Sequence, residues 1–222
     1  IVDPPDGRLP PLADGATRQV GSLTRDVPGE RPVRFRSGGI GLTGPEDRAL
    51  AERCLLGFNS GPPMMPSGYN NNMQLFQTPD YVVVVNEMVH DARIIPLDGR
   101  PHLDGIRQWM GDARGHWDGD TLVVESRNYT GKTSSFDPGA TGSFGSGETL
   151  HLTERFTRVD EDTLLYEYTV NDPATFSRPF TVALPMRKLD MPVFEYACHE
   201  GNYGLLNILR GARADEAAQE QP

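Results

Sequence analysis

Two short stretches of this chain, Glu87-Met-Val-His90-Asp91-Ala-Arg93 and Glu195-Tyr-Ala-Cys198-His199-Glu200-Gly-Asn202-Tyr203, each set a histidine beside carboxylates at the end of an apolar, β-type run. Imidazole titrates near neutrality, so such pairs suit proton transfer, and a scaffold gains little by ending buried strands in titratable groups. Along Tyr81–His90, period two puts Tyr81, Val83, Val85, Glu87 and Val89 on one face. Val82, Val84, Asn86, Met88 and His90 take the other, so whichever face turns inward receives a polar group among valines. A carboxylate or imidazole there must be paired. Arg93 is the expected partner of Glu87, and a buried Arg–Glu pair that merely pins the register is the competing reading. In Pro192–Glu200, His199 shares the less apolar face with Glu195, and here a satisfied structural histidine competes with an acid–base one. The candidate catalytic residues are therefore His90, Asp91, Glu87 and His199. Arg93, Trp109, Tyr69, Asn71, Glu200 and Tyr203 are the candidate substrate contacts.

The elements that must position these groups read as strands and turns. Residues 73–76, 81–88, 92–97, 121–125, 150–159, 163–170, 180–186 and 192–199 have β-rich composition or alternate with period two. Asp98-Gly99 and Asp118-Gly119 supply the positive φ of tight hairpins. Such a meander predicts an all-β fold, an antiparallel up-and-down sheet closing into a lipocalin-like barrel that removes its own edges. Residues 1–45, rich in Pro, Gly, Arg and Asp, predict an irregular arm. Residues 46–56, with Pro45 ahead of early acids and late Arg, predict one short helix. Residues 69–213 form the expected barrel body and 214–222 a flexible tail, all in one domain of 222 residues. The Gly/Ser/Thr-rich stretch from Thr130 to Gly147 is too long for a hairpin and is a candidate lid. Trp117 runs into a hairpin and reads as a plug, which leaves Trp109 as the better stacking surface.

A formal charge of -10 and a pI near 4.9 argue against an electrostatic grip on nucleic acid or anionic membrane. Only Lys132 and Lys188 are lysines among the 21 basic residues, so positive charge is almost all guanidinium. No apolar run reaches the roughly 20 residues of a membrane helix. The five histidines, His90, His102, His116, His151 and His199, have no metal-ligand spacing, and there is no nucleophile elbow, phosphate loop or dinucleotide fingerprint. No metal and no cofactor are expected. Cys54 and Cys198 are compatible with two buried thiols or with one disulfide worth about 4 to 5 kcal/mol on the chain-entropy model.

The blocks His90-Asp-Ala-Arg-Ile-Ile-Pro-Leu-Asp-Gly-Arg-Pro-His102, Trp117-Asp-Gly-Asp-Thr-Leu-Val-Val-Glu125 and Phe194-Glu-Tyr-Ala-Cys-His-Glu-Gly-Asn-Tyr203 resemble an uncharacterised family of exported proteins from environmental bacteria. Gln77-Thr-Pro-Asp-Tyr81 and Glu154-Arg-Phe156 extend the likeness, which runs from Ile1 to about Arg213. In similar sequences a signal peptide and a further segment precede Ile1, so a first barrel strand is expected to lie outside this chain. The resemblance implies a secreted or periplasmic protein and hence a Cys54–Cys198 bridge, and it implies no activity. The resulting expectation is a secreted enzyme of carboxylate/imidazole acid–base chemistry, a lyase, isomerase or hydrolase acting on a carbohydrate or phenolic small molecule in the barrel pocket. A lipocalin-like carrier without catalysis is the alternative, and oligomeric state is open. Titratable groups facing one cavity would favour the enzyme, and an apolar cavity with a polar rim would favour the carrier.

Overall fold

The computed structural model describes residues 1–16, 50–57, 59–66, 68–130 and 148–220, with the backbone of 18–19 and 143–144. The expected arm beyond residue 16 and most of the expected lid lie outside the described residues. Ten strands are described: β1 (Arg18–Gln19), β2 (Met73–Gln77), β3 (Tyr81–Asn86), β4 (Ala92–Pro96), β5 (Asp112–Asp118), β6 (Thr121–Arg127), β7 (Ser143–Phe144), β8 (His151–Arg158), β9 (Thr163–Asn171) and β10 (Phe180–Arg187). Helix α1 covers Tyr203–Gln219.

All strand pairs among the described residues are antiparallel. The expected Asp118-Gly119 hairpin joins β5 to β6, whereas Asp98-Gly99 closes no hairpin because β4 and β5 form no ladder. The strands form a three-stranded sheet, β2-β3-β4, and a five-stranded sheet, β10-β9-β8-β6-β5, beside the small β1-β7 pair. The expected barrel closure is not seen, for no described sheet closes on itself. β4 packs on β5 without a ladder, and the edges of β2 and β10 face each other across a cavity. Gly115 of β5 marks the β4 crossing, since a Cβ there would stand 2.8 Å from both Ile95 and Leu97.

The inward faces follow the alternation read from sequence. Val82, Val84, Ile95, Leu122, Val124, Leu152, Phe156, Tyr166, Tyr168, Val170, Phe180 and Val182 make one buried cluster between the sheets. Each such side chain contributes roughly 1.5–3 kcal/mol of apolar burial. At its centre lies a fully buried polar group. Arg93 grips Glu154 through both guanidinium nitrogens, at 2.5 and 2.9 Å, and Tyr166 donates to the same carboxylate at 2.7 Å. The Tyr166 hydroxyl in turn accepts the Met64 amide at 3.0 Å.

Three other expectations are corrected. Residues 50–56 are turns rather than helix, and residues 192–199 form no strand, because this apolar segment runs over the surface with Phe194 exposed. Residues 203–219 are helix rather than barrel wall and tail. Asn202 caps it, accepting the Leu205 amide at 3.4 Å, and the Leu, Ala and Arg that follow are strong helix formers. Cys54 and Cys198 are bridged, which ties the 50–57 turn to the segment before α1.

Candidate functional site

The strand expected to run from Tyr81 to His90 stops at Asn86, and a tight turn over Met88–His90 follows. Val89 and His90 hold φ of 59° and 47°, the left-handed region that a β-branched residue enters only when its surroundings impose it. Buried carboxylates supply that constraint. Glu87 accepts the Asn72 side-chain amide at 2.7 Å. Asp91 accepts the Gly57 amide at 2.7 Å and the Ser60 hydroxyl at 2.5 Å. Gly57 is obligatory there, for a Cβ would stand 2.4 Å from both Met88 and Ser60. Glu87 and Asp91 thus hold loops, and Arg93 pairs with Glu154 in place of Glu87 because β4 aims it into the core.

The two histidine-bearing stretches do meet. His90 Nδ1 lies 3.1 Å from the Tyr196 carbonyl, and the disulfide joins Cys198 to Cys54 close by. Neither of the two cavities described below gathers them, however. His90, His199, Glu200 and Tyr203 are exposed, Tyr69 is exposed beside Tyr196, and Trp109 is half-buried in the approach to β5. Two cavities stand out among the described residues, and of all the sequence candidates only Asn71 lines either of them.

One cavity, of about 770 Å³, is lined by His102, Asp104, Arg107, Arg127, Asn128, Glu148 and His151 among others. His102 comes from the β4–β5 loop, Arg127 from the end of β6 and His151 from the start of β8. The loop is fixed rigidly. Asn128 donates to the Leu103 carbonyl at 2.7 Å, and the Arg114 guanidinium clamps the Pro101 carbonyl at 2.8 Å and Asp112 at 2.5 Å. Buried Asp112 faces His102 Nδ1 at 3.2 Å and accepts the Leu103 amide at 2.7 Å on the same oxygen. A carboxylate in that place keeps the proton on Nδ1 and leaves Nε2 as the acceptor. Nε2 has no partner among the described residues.

Burial first, and then the charge of Arg127, hold His102 below the ordinary imidazole value against the pull of Asp112. Its neutral form therefore prevails at pH 7. Arg107 is occupied, donating to the Tyr129 and Glu148 carbonyls at 3.0 and 3.2 Å. Arg127 has neither a hydrogen bond nor an ion pair among the described residues, so one cation in the cavity is uncommitted. The whole is an oriented base beside a guanidinium, the pairing needed to remove a proton and stabilise the charge that remains.

Sequence reasoning missed His102 because Arg100-Pro-His-Leu-Asp104 has no periodicity and its partner lies on β5, which neither composition nor alternation marks as a strand. Recognising Asp112 and Arg114 as alternate residues of a strand would have raised the signal. No group of three or more His, Cys, Asp or Glu placed to hold a metal ion occurs among the described residues. No described helix is long and apolar enough to cross a membrane. Comparison with protein-family models, with curated proteins and with solved structures finds no match, so the geometry of this cavity is what bears on function.

Proposed function

We propose that this protein is an acid–base enzyme whose base is His102, acting on a hydroxyl-bearing small molecule of carbohydrate or phenolic type. The observation that carries the reading is the 3.2 Å His102–Asp112 pair, with Nε2 unclaimed in a cavity that also holds Arg127. Nε2 takes the proton from a substrate hydroxyl or an activated C–H, Asp112 stabilises the imidazolium, and Arg127 faces the oxyanion. Return of the proton to the product or leaving group completes a lyase, isomerase or hydrolase cycle without a redox step. The disulfide and the likeness to exported proteins support a secreted or periplasmic setting.

The test is a turnover panel of phenolic esters, uronides and hydroxylated sugars, run on the wild-type protein and on His102→Gln. Turnover that falls about 100-fold or more in the variant, with unchanged melting, is the expected result. Equal turnover by the two proteins, or none on the panel, would contradict it.

A further inference from the structure

The second cavity, of about 870 Å³, lies at the other end of the strands, in the gap between the edges of β2 and β10. Met64, Met65, Met73, Met186 and Met191 line it, five of the seven methionines in the chain. Unbranched, polarisable thioethers adapt to the shape of an apolar guest, and they collect where a surface must accept flexible ligands. Leu75, Leu164 and Leu184 extend the apolar wall. Leu189, Met191 and Phe194, at 56%, 64% and 58% exposure, lie on the single segment that rims it. Three exposed apolar side chains within six residues, beside an apolar cavity, are a contiguous patch of the kind that marks a binding surface.

The opposite wall is made of amides. Buried Asn59 donates to the Tyr69 and Asn70 carbonyls at 3.1 and 2.8 Å, so that Asn70, Asn71 and Asn72 stand along the cavity with buried Asn86. No buried charged side chain lines it, and its five charges are divided between Arg158, Arg187 and Lys188 and the acids Glu161 and Asp162. An ionic head entering this space would lose water without a buried counter-charge, whereas hydroxyl or amide heads can exchange hydrogen bonds with the asparagines.

An added peptide strand is disfavoured. Thr181 already exchanges both of its backbone bonds with Asp3, which puts Ala183, Pro185 and Arg187 on the same outward edge of β10. Pro185 there has no N–H to offer. We infer that this cavity is a second binding site, separate from the His102 cavity, for a neutral small molecule with a flexible apolar body and a hydroxyl-bearing head.

The rim segment is tethered at both ends. The Lys188 amide donates to the Asp162 carbonyl at 2.8 Å, and Cys198 is disulfide-bonded just past the Tyr196–His90 contact. The stretches first read as catalytic thus hold the rim of this site.

The experiment uses the full chain with isotope-labelled methionine methyl groups, titrated with monolaurin and, in parallel, with laurate and with a β-forming decapeptide. Monolaurin should shift Met64, Met65, Met73, Met186 and Met191 saturably while leaving Met88 and Met110 in place. Leu184→Glu should weaken that binding at least 10-fold, and His102→Gln should leave it unchanged. Laurate or the peptide binding more tightly than monolaurin at these methyls, shifts spread over all methionines, or no saturable shift would each overturn the inference.

Discussion

The two ends of the β8–β9 hairpin are built for opposite solvents. At one end, where β8 begins and β9 finishes, the cavity is lined by imidazole, guanidinium and carboxylate groups around His102. At the other, some seven residues and about 23 Å along the strands, it is lined by thioethers and amides, with its five charged side chains all exposed. Charged groups need water or partners, so the first cavity keeps its titratable groups oriented by a carboxylate behind them. Thioethers need neither, and the amides of Asn59, Asn72 and Asn86 are already bonded within the protein, so the second is shaped for contact. The contrast separates a place where protons move from a place where a molecule is held, and each end can be disabled without the other.

The broadest expected effect strikes both ends, because they share one centre. Glu154→Ala leaves Arg93 buried without its carboxylate and should cost about 3–5 kcal/mol, read as a drop in denaturant midpoint. Replacing both partners by apolar residues of similar volume should restore most of that loss. If Glu154→Ala melted like the wild type, the sheets would not depend on this pair.

His102→Gln comes next, with a loss of turnover of about 100-fold or more and the methionine cavity untouched. Loss of monolaurin binding in that variant would erase the distinction between the ends.

Removing the disulfide as Cys54→Ser/Cys198→Ser should cost about 4–5 kcal/mol on thermal or denaturant unfolding, as the chain-entropy model gives for so long a loop. Its functional effect should fall on ligand affinity at the rim rather than on turnover. Equal damage to turnover would place the rim and the base in one site.

Acid sharpens the comparison from the other side. His102 is held below the ordinary imidazole value by burial and by Arg127, so the unfolded chain takes up its proton first as the pH falls. Its contribution to stability is therefore present above the ordinary value near 6.5 and is lost as the pH drops toward the lower folded one. Turnover should fall over the same acid range, with its midpoint below 6.5, while monolaurin affinity stays level. The smallest effect belongs to the exposed Arg155–Asp118 pair, where Asp118→Asn should leave the melting temperature within about 1–2 °C.

Much of this architecture was legible and the site mostly was not. Alternation or β-rich composition marked β3, β4, β6, β8, β9 and β10, because one buried face imposes period two. β5 stayed hidden because its inward positions, Ala113 and Gly115, are small where β4 crosses over it, leaving Asp112, Arg114, His116 and Asp118 to suggest a turn. Polarity at Glu87 and Arg93 signalled buried groups in need of partners, but the expected Arg93–Glu87 pair is not the one that forms, and Asp91, expected as catalytic, holds a loop. The partners, Asn72, Gly57 and Glu154, lie 15, 34 and 61 residues away, and only the fold selects them. Asn71, an expected substrate contact, lines the methionine cavity rather than the one around His102. His102 itself was not legible, since an oriented histidine is defined by what stands behind it.

Long-range nitrogen–proton correlation NMR of the His102 imidazole, followed across pH, reaches the question without a substrate. Oriented by Asp112 and poised as a base, His102 should carry its proton on Nδ1 at pH 7, leave Nε2 bare, and titrate below 6.5 in the wild type. Asp112→Asn should lose the tautomer preference. A ring protonated on Nε2, or one that titrates at or above 6.5, would contradict the assignment of His102 as the base.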